Sequence, residues 1–442
     1  MRLSPFAKLA IAAMLAFAVA PAASASRVLL ISIDGLRPSE LARKPKDLPL
    51  PNLRRLRADG AYASGVRGVM PTLTYPSHAT LLTGVSPAKH GIVSNLTFDP
   101  VLKNAQGWYW YASDVHVPTL WDAAHKAGLS TANVHWPTSV AATIDANLPQ
   151  IWRTGMPDDR KLLRALATPG LVDELESTLG PYADGYDESI EGDEKRARFA
   201  VSLIEKRRPQ FMTAYFTAFD HEQHERGPDA PEALAVLGRI DAIVGQLVDA
   251  ARKADPDTVI AVVSDHGFAP VHTDVNLVAA FANAGLMRFD AAGNVVAWDA
   301  APWIAGGSAD VVVRDGTDTA VREKVRALLA KLRDDATNGI ARVIEREEIA
   351  RAGANPQADF HVDFKPGFET APDPKAPLVG PSRRRGMHGY DPALPAMQAT
   401  FLVAGPQVPK RDLKAIDMRD IAPTLAKILG VALPDAEGKP LF

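Results

Sequence analysis

Two short apolar runs, each followed by an aspartate, dominate the alternation of hydrophobic and polar positions along the chain. Residues 27–33 precede Asp34, and residues 258–264 precede Asp265. Both runs are rich in valine and isoleucine and are followed closely by glycine, which is typical of buried parallel strands. Functional side chains of open α/β sheets gather at the carboxyl ends of strands. Because His266 follows the second aspartate, the pattern suggests a metal centre at that edge of the sheet.

Helix-like and strand-like segments alternate along much of the remaining chain. The spacing of apolar positions predicts helices over 119–128 and 232–253, and strands over 130–136 and 210–219. This alternation predicts an α/β fold with a mainly parallel central sheet and helices on both faces. The alternation of helix-like and strand-like segments ends after the apolar run that precedes Asp265, and we expect an inserted cap subdomain at about 269–387.

A second stretch, residues 150–186, has no regular pattern and is interpreted as a lid. The first 25 residues have a basic start, a short apolar core and a final Ala-Ser-Ala, which are the features of an export signal. We expect cleavage after Ala25, which leaves a catalytic domain over 26–442 in a periplasmic or secreted protein. The apolar core is short for a membrane span, and no span is expected in the mature chain.

The amino-acid composition limits the kinds of metal ligand and of partner that we expect. The chain has no cysteine, so it uses no disulfide, and any zinc ion must be held by carboxylate and imidazole groups. The formal net charge is −3 and no basic block is present, so we expect no extended nucleic-acid partner.

Further acids and histidines stand in positions that suit metal ligands. Asp220 and His224 are four residues apart, so one helical turn would bring both to one metal ion. His388 lies in a Gly-Met-His-Gly turn. A lone acid–histidine pair is usually a solvated turn. The combination of these residues with the two strand-end aspartates predicts a metal site.

Residues 70–84 have the pattern of a turn that enters a helix, and they carry several hydroxyl groups. Thr72, Thr74 and Ser77 stand near the expected helix start, where free backbone N–H groups suit an anion. The alternative is that these hydroxyls only cap the helix. A nearby divalent metal would favour a nucleophile, because it stabilises a threonine alkoxide.

In this order the motifs resemble those of the nucleotide pyrophosphatase/phosphodiesterase family, in the alkaline phosphatase superfamily. The resemblance extends from about residue 28 to residue 405. The motifs are Ile-Asp34-Gly, Pro-Thr-Leu-Thr74-Tyr-Pro-Ser-His78, His90-Gly-Ile-Val-Ser-Asn95, Asp220-x3-His224-x2-Gly-Pro, Ser-Asp265-His266-Gly and Gly-Met-His388-Gly-Tyr. The implied fold is alkaline phosphatase-like.

The resemblance implies two zinc ions and assigns their ligands. One ion would be held by Asp220, His224 and His388, and the other by Asp34, Asp265, His266 and Thr74. Thr74 would be the nucleophile and would form a covalent phospho-threonine, whereas Thr72 has the wrong offset. Asn95 would donate to a non-bridging phosphate oxygen, with the backbone N–H of Tyr75 as its partner donor.

The implied activity is that of an exported two-zinc phosphodiesterase or nucleotide pyrophosphatase, acting on a small phosphate ester with a nucleotide as one candidate. Monoesterases of the superfamily carry added cations such as a Lys-x-Arg pair, which residues 134–138 lack. This difference favours diesters. The Tyr75 ring is available either to stack on a base or for ordinary packing. Ser77 replaces an asparagine of many family members. His78 and His90 are assigned no catalytic role.

Two other functions remain open. A phosphomonoesterase or a phosphonate hydrolase on the same scaffold is the alternative enzyme, while a sulfatase is disfavoured because the Thr74 motif lacks the expected arginine. A non-catalytic metal-binding protein is the alternative outside the enzymes. The nucleophile at Thr74 argues against it, because a binding module needs no such group.

Overall fold

The computed structural model describes residues 26–442 except 105–106, 153–157, 184–186, 372 and 374–375. The predicted export signal and its cleavage after Ala25 therefore lie outside the described residues. The strands are β1 Val28–Ile33, β2 Ala61–Tyr62, β3 Gly65–Arg67, β4 Thr131–Val134, β5 Ala146–Leu148, β6 Phe211–Phe216, β7 Val259–Val263, β8 Ala269–Val275, β9 Met287–Phe289, β10 Val295–Trp298, β11 Ala300–Ala305, β12 Ser308–Val313, β13 Ile340–Glu345, β14 Phe360–Phe364, β15 Gly367–Thr370, β16 Val379–Pro381, β17 Gly386–Met387, β18 Phe401–Ala404, β19 Arg411–Asp412 and β20 Ala415–Asp417.

Helices lie between most of the central strands. They are α1 Pro38–Ala42, α2 Pro51–Asp59, α3 Thr74–Thr83, α4 Pro87–His90, α5 Leu120–Lys126, α6 Asp159–Leu166, α7 Leu171–Leu179, α8 Ile190–Arg207, α9 Ala218–Arg226, α10 Pro231–Ala254, α11 Leu277–Asn283, α12 Thr319–Asp334, α13 Arg346–Arg351 and α14 Ile421–Leu429. No helix in these described ranges has the length and apolar character that crossing a membrane requires.

The central sheet has the strand order β19-β2-β18-β7-β1-β6-β4-β5. Strands β7, β1, β6, β4 and β5 are parallel, and β18 is antiparallel to its neighbours. Every residue of β1, β6 and β7 is buried, as expected for strands that are covered on both faces. The prediction of a mainly parallel sheet is confirmed, and its helices and strands appear close to the predicted positions.

Side chains of β1 alternate between two apolar cores. Leu29, Ile31 and Ile33 pack into a core that also contains residues of α2, α7, α8 and α10. Val28 and Leu30 pack on the opposite face, with residues of α3, α5 and α14. Because the side chains of a strand alternate in direction, this single strand anchors both helical layers, and the predicted covering of both faces is confirmed.

After β7 the chain leaves the central sheet, and it returns at β18. The intervening segment forms an antiparallel sheet in the order β11-β12-β14-β13, the pair β9–β10, and a small sheet around β8. Its apolar side chains form a third core, which includes Val271, Val311 and Val362. The predicted cap boundaries of about 269–387 stay a prediction.

The expectation that residues 150–186 are irregular was wrong for much of the part that the structure describes. Helices α6 and α7 lie within it. Leu163, Leu171, Val172 and Leu175 from these helices are buried in the core beside β1. The apolar spacing is helical, but the glycine and proline residues around the helices concealed it.

Candidate metal centre

Three neighbouring strands bring the carboxylates of the site together. Asp34 follows β1 directly, Asp265 lies two residues after the end of β7, and Asp220 lies in α9 after β6. Strand β1 pairs in parallel with both β6 and β7, so their carboxyl ends meet at one edge of the sheet. All three aspartates are buried. The three carboxylates therefore lie together at one edge of the sheet, and their role as metal ligands stays a prediction.

The start of α9 is itself held in place by a buried ion pair. Asp193 Oδ2 accepts a hydrogen bond of 2.8 Å from the backbone N–H of Ala218, and Asp193 Oδ1 lies 2.8 Å from Arg196 Nη1. Although burial is the largest influence and raises the pKa of Asp193 to about 6, Arg196 opposes it. This contact fixes the helix turn that presents Asp220 and His224.

Imidazoles and carboxylates lie close together at this edge. Ligand atoms of Asp34, Asp265 and His266 lie within 4.8 Å of one another, as do those of Asp220, His266 and His388. The family resemblance predicts that His224 shares one zinc ion with Asp220 and His388. His224 Nε2 lies 3.3 Å from Asp220 Oδ2, while His266 stands between the two groups, with its ring stacked on that of His388 at 3.6 Å.

The imidazoles of His224, His266 and His388 each direct Nδ1 at a backbone carbonyl. The pairs of Nδ1 and carbonyl oxygen are His224 with Gly386 at 2.9 Å, His266 with Gly267 at 3.1 Å and His388 with Thr72 at 3.1 Å. A carbonyl only accepts, so these contacts assign the proton to Nδ1 and leave Nε2 as a lone-pair donor. Ligand histidines in metal proteins are fixed in this manner.

The carboxylates leave acceptor atoms unused. Asp34 Oδ1, Asp220 Oδ1 and Asp265 Oδ2 are buried and have no hydrogen-bond partner among the described residues. Burial raises the pKa of Asp34 well above its usual value, and the charges of Asp220 and Asp265 raise it further. Three crowded carboxylates with free oxygens, facing imidazole nitrogens, have the donor set that suits divalent cations such as zinc.

The protonation states of His388 and Asp220 also suit metal binding. Burial lowers the pKa of His388 well below its ordinary value, and the neighbouring His266 adds to this effect. Burial opposes ionisation of Asp220, but His224 and the other imidazoles outweigh it and hold its pKa below the ordinary value. The imidazole of His388 is therefore neutral, and the side chain of Asp220 is an ionised carboxylate.

Thr74 stands at the edge of this group. It is the first residue of α3, and its Oγ1 lies 3.3 Å from His266 Nε2. His78 Nδ1 donates to the carbonyl of Thr74 at 2.8 Å, and His78 Nε2 accepts from Ser32 Oγ at 2.9 Å. Burial lowers the pKa of His78 to about 4, so the imidazole is neutral at pH 7. His78 thus fixes the first turn of the helix.

Tyr75 contacts Asn95 through its backbone and Trp108 through its ring. Its backbone N–H donates to Asn95 Oδ1 at 2.9 Å, and its role as a donor to a phosphate oxygen stays a prediction. Its side chain is only 1 % exposed, and the ring packs on Trp108 at 5.4 Å. The ring is therefore part of the packing and offers no open surface to a base. The contact orients the Asn95 amide so that Nδ2 is its remaining donor.

Sequence reasoning missed two outer contacts of the site. The hydroxyl of Tyr215, in the apolar strand β6, donates to Asp34 Oδ2. Thr72, which was set aside as a nucleophile, donates from Oγ1 to the carbonyl of Tyr390 at 2.7 Å. A buried tyrosine usually finds a partner for its hydroxyl, so Tyr215 carried a signal, but only the strand pairing identifies the partner.

Comparison with known proteins gives consistent results. A family model described as type I phosphodiesterase / nucleotide pyrophosphatase matches residues 28–391. An uncharacterized pyrophosphatase/phosphodiesterase of Schizosaccharomyces pombe is 29% identical over 252 residues, which cover 55% of this chain and 45% of that protein. Ectonucleotide pyrophosphatase/phosphodiesterase family member 1 of Homo sapiens is 27% identical over 252 residues, or 54% and 23% of the two chains. The match thus spans less than half the length of these relatives.

Solved structures share the fold. Murine ectonucleotide pyrophosphatase / phosphodiesterase 5 superposes with a TM-score of 0.67 over 94% of this chain and 98% of that chain, at 20% identity. An inactive threonine-to-alanine variant of the same murine protein, in complex with AMP, superposes with a TM-score of 0.66 over 94% and 97%, at 21% identity. At this identity the likeness concerns the fold alone.

Proposed function

The chain belongs to the type I phosphodiesterase / nucleotide pyrophosphatase family, and we propose that it is an exported two-zinc enzyme that hydrolyses phosphodiester or pyrophosphate bonds. The observation that carries this proposal is the position of Thr74. Its hydroxyl lies 3.3 Å from His266 Nε2, at the edge of a group in which three buried carboxylates each retain a free oxygen. A nucleophile beside a cation site suits phosphoryl transfer.

The ligand assignment follows the family pattern. One ion takes Asp220, His224 and His388, and the other takes Asp34, Asp265, His266 and Thr74. When bound, two divalent ions would lower the pKa of a hydroxyl group and offset the charge of a phosphate.

The reaction uses Thr74 twice. A bond forms between Thr74 Oγ1 and phosphorus while the bond from phosphorus to the leaving oxygen breaks, which gives a phospho-threonine. Water then attacks phosphorus, the bond to Thr74 Oγ1 breaks, and the free hydroxyl returns. His78 holds the Thr74 carbonyl at 2.8 Å. This contact keeps the hydroxyl aimed at the reacting phosphorus.

Asn95 supplies the donor for the equatorial phosphate oxygen. The backbone N–H of Tyr75 is engaged by Asn95 Oδ1, and Pro76 has no N–H. The start of α3 therefore has fewer free donors than an ordinary helix start. The amide Nδ2 of Asn95, oriented by its contact with Tyr75, carries this role in our proposal.

Charge favours a diester over a monoester. Among the described residues, none of the hydrogen bonds or ion pairs made by the side chains of Thr74, Asn95, Asp34, Asp220 and Asp265 comes from lysine or arginine. A monoester carries one more negative charge, which an added cation would offset. The AMP complex of the murine neighbour supports a nucleotide as substrate.

Export is proposed from the pattern of the first 25 residues. Expression of the full chain in a bacterial host with a secretory pathway, followed by sequencing of the amino terminus, tests it. Mature protein that begins at Ser26 is the expected result. Retention of the apolar core in the exported fraction would contradict cleavage after Ala25.

A paired assay tests the activity. Zinc-loaded protein is given a nitrophenyl ester of a nucleoside monophosphate or nitrophenyl phosphate, each with and without a chelator. We expect a strong preference for the diester that is lost on chelation, and loss of turnover with retained zinc in Thr74→Ala. Thr83→Ala, the same change at the other end of α3, is the control. Preference for nitrophenyl phosphate would favour the phosphomonoesterase alternative, and near-normal turnover in Thr74→Ala would overturn the nucleophile.

A further inference from the structure

Asp34 and Asp265, the two carboxylates beside His266, use their two oxygens in the same manner. Asp265 Oδ1 accepts backbone hydrogen bonds from Gly35 at 3.2 Å and from His266 at 3.1 Å, while Asp265 Oδ2 has no hydrogen-bond partner among the described residues and lies 3.3 Å from His266 Nε2. In Asp34, Oδ2 is held and Oδ1 is free, 3.4 Å from the same imidazole nitrogen. In each carboxylate one oxygen is anchored and the other faces the centre.

The anchors of the two carboxylates differ in kind. Asp265 is held by backbone N–H groups, which only substitution by proline removes, whereas Asp34 is held by one side-chain hydroxyl, that of Tyr215. Tyr215 is 1 % exposed and lies opposite Ser32 in the parallel register of β6 with β1. The backbone N–H of Asp34 donates to Phe216 at 3.0 Å. The register thus determines which residue reaches the carboxylate.

Tyr215 also contacts the support of the nucleophile. Its ring meets the ring of His78 edge to face at 4.5 Å, and His78 holds the carbonyl of Thr74. The tyrosine is therefore fixed by packing on one side while its hydroxyl fixes Asp34 on the other. A group held in this way can hold a ligand in one orientation.

We propose that Tyr215 is a positioning residue that makes Asp34 a one-oxygen metal ligand, by anchoring Oδ2 and leaving Oδ1 for the ion shared with Asp265 and His266. The inference rests on the proposed metal-dependent function. Outer hydrogen bonds to metal ligands typically contribute about 10–100-fold in metal affinity. Loss of the Tyr215 hydroxyl therefore weakens one metal site and leaves the site of Asp220 and His388 as it was.

Zinc titration of the metal-free mature chain, in competition with a chromophoric chelator, tests this proposal. Tyr215→Phe removes one oxygen and retains the ring that packs on His78. The matched control is Tyr62→Phe, the same change at a half-buried tyrosine of the short strand β2, where its ring lies against Arg57. We expect Tyr215→Phe to bind one of two zinc ions about 10–100-fold more weakly, and the control to match wild type.

Two further measurements separate positioning from a purely structural role. The visible spectrum of the cobalt-loaded protein reports the ligand geometry, and it should change in Tyr215→Phe alone. Thermal unfolding of the metal-free protein reports packing. Unchanged zinc affinities with reduced metal-free stability in Tyr215→Phe would overturn the inference and leave the proposed function standing. A wild-type chain that binds no zinc would overturn both.

Discussion

Asn95 offers the sharpest test of how the phosphate is held. The contact between Tyr75 N–H and Asn95 Oδ1, at 2.9 Å, uses the amide oxygen as an acceptor and leaves Nδ2 to donate. Asn95→Ala removes both groups and releases the Tyr75 N–H. Asn95→Asp retains an acceptor for that N–H but replaces the Nδ2 donor with a charged oxygen. The two variants therefore separate loss of a donor from addition of a repulsive charge.

The loss of the Nδ2 donor and the added carboxylate charge are expected to differ in size. Loss of one preorganised donor costs about 10²–10³-fold in kcat, or about 2.7–4 kcal/mol. The freed Tyr75 N–H offsets part of this loss, so the alanine variant should lie near the smaller figure. A carboxylate about 4 Å from a phosphate oxygen adds about 4 kcal/mol of repulsion at an effective dielectric constant near 20. Partial neutralisation by bound cations reduces that figure, and we expect Asn95→Asp to lose at least about tenfold more than Asn95→Ala.

The assay is single-turnover cleavage of the nitrophenyl nucleotide diester by zinc-loaded wild type and both variants. Zinc content is measured in parallel, because neither variant removes a proposed ligand and both should retain two ions. The expected order of rates is wild type, then alanine, then aspartate. If the aspartate variant equals or exceeds the alanine variant at equal zinc content, Nδ2 does not face the phosphate and the reasoning from the Tyr75 contact is wrong.

Three other predictions follow from buried contacts. Although burial opposes it, Asp310 and Asp363 raise the pKa of His361 to about 10. The protonated imidazole therefore stabilises the fold fully below the unfolded pKa near 6.5, and this stabilisation is lost as pH rises through about 10. Urea unfolding should show wild type losing its stability advantage over His361→Phe across that pH range, and a constant difference would contradict the prediction. Thr72→Val leaves the Tyr390 carbonyl without its donor and should cost about 1–3 kcal/mol in unfolding free energy, whereas Thr72→Ser should not; equal stability of the two variants would refute the contact. Chelation should lower the thermal midpoint, and zinc at about 100 times its dissociation constant should restore about 2.7 kcal/mol; an unchanged midpoint would argue against a metal in the folded chain.

The central sheet and the residues at its edge were predictable because each signal is local in the chain. An apolar run identifies a strand, and the acid that follows it must lie at the carboxyl end. Asp34 and Asp265 were found from this rule alone. The two helices within residues 150–186 were missed because they are short, with eight and nine residues, and because glycine and proline flank them.

The outer contacts of the site could not be read from the sequence. Tyr215 and Asp34 are 181 residues apart, and Thr72 and Tyr390 are 318 apart. Each contact depends on the register between distant elements, and a shift of one residue in β6 would direct Tyr215 to the other face of the sheet. The proposed ligands can therefore be identified from local sequence, whereas their orientation depends on the assembled fold.

Helical geometry explains why the ring of Tyr75 is buried although the residue adjoins the proposed nucleophile. Successive residues of an α-helix point about 100° apart, so adjacent side chains at the start of α3 face different surroundings. Thr74 and His78, four residues apart, face the sheet, where they meet His266 and Ser32. Tyr75 shares its face with Ala79 and packs with it in a separate apolar cluster. The ring of Tyr75 is therefore buried although its neighbour is the proposed nucleophile, and we expect side chains outside this helix to contact the leaving group.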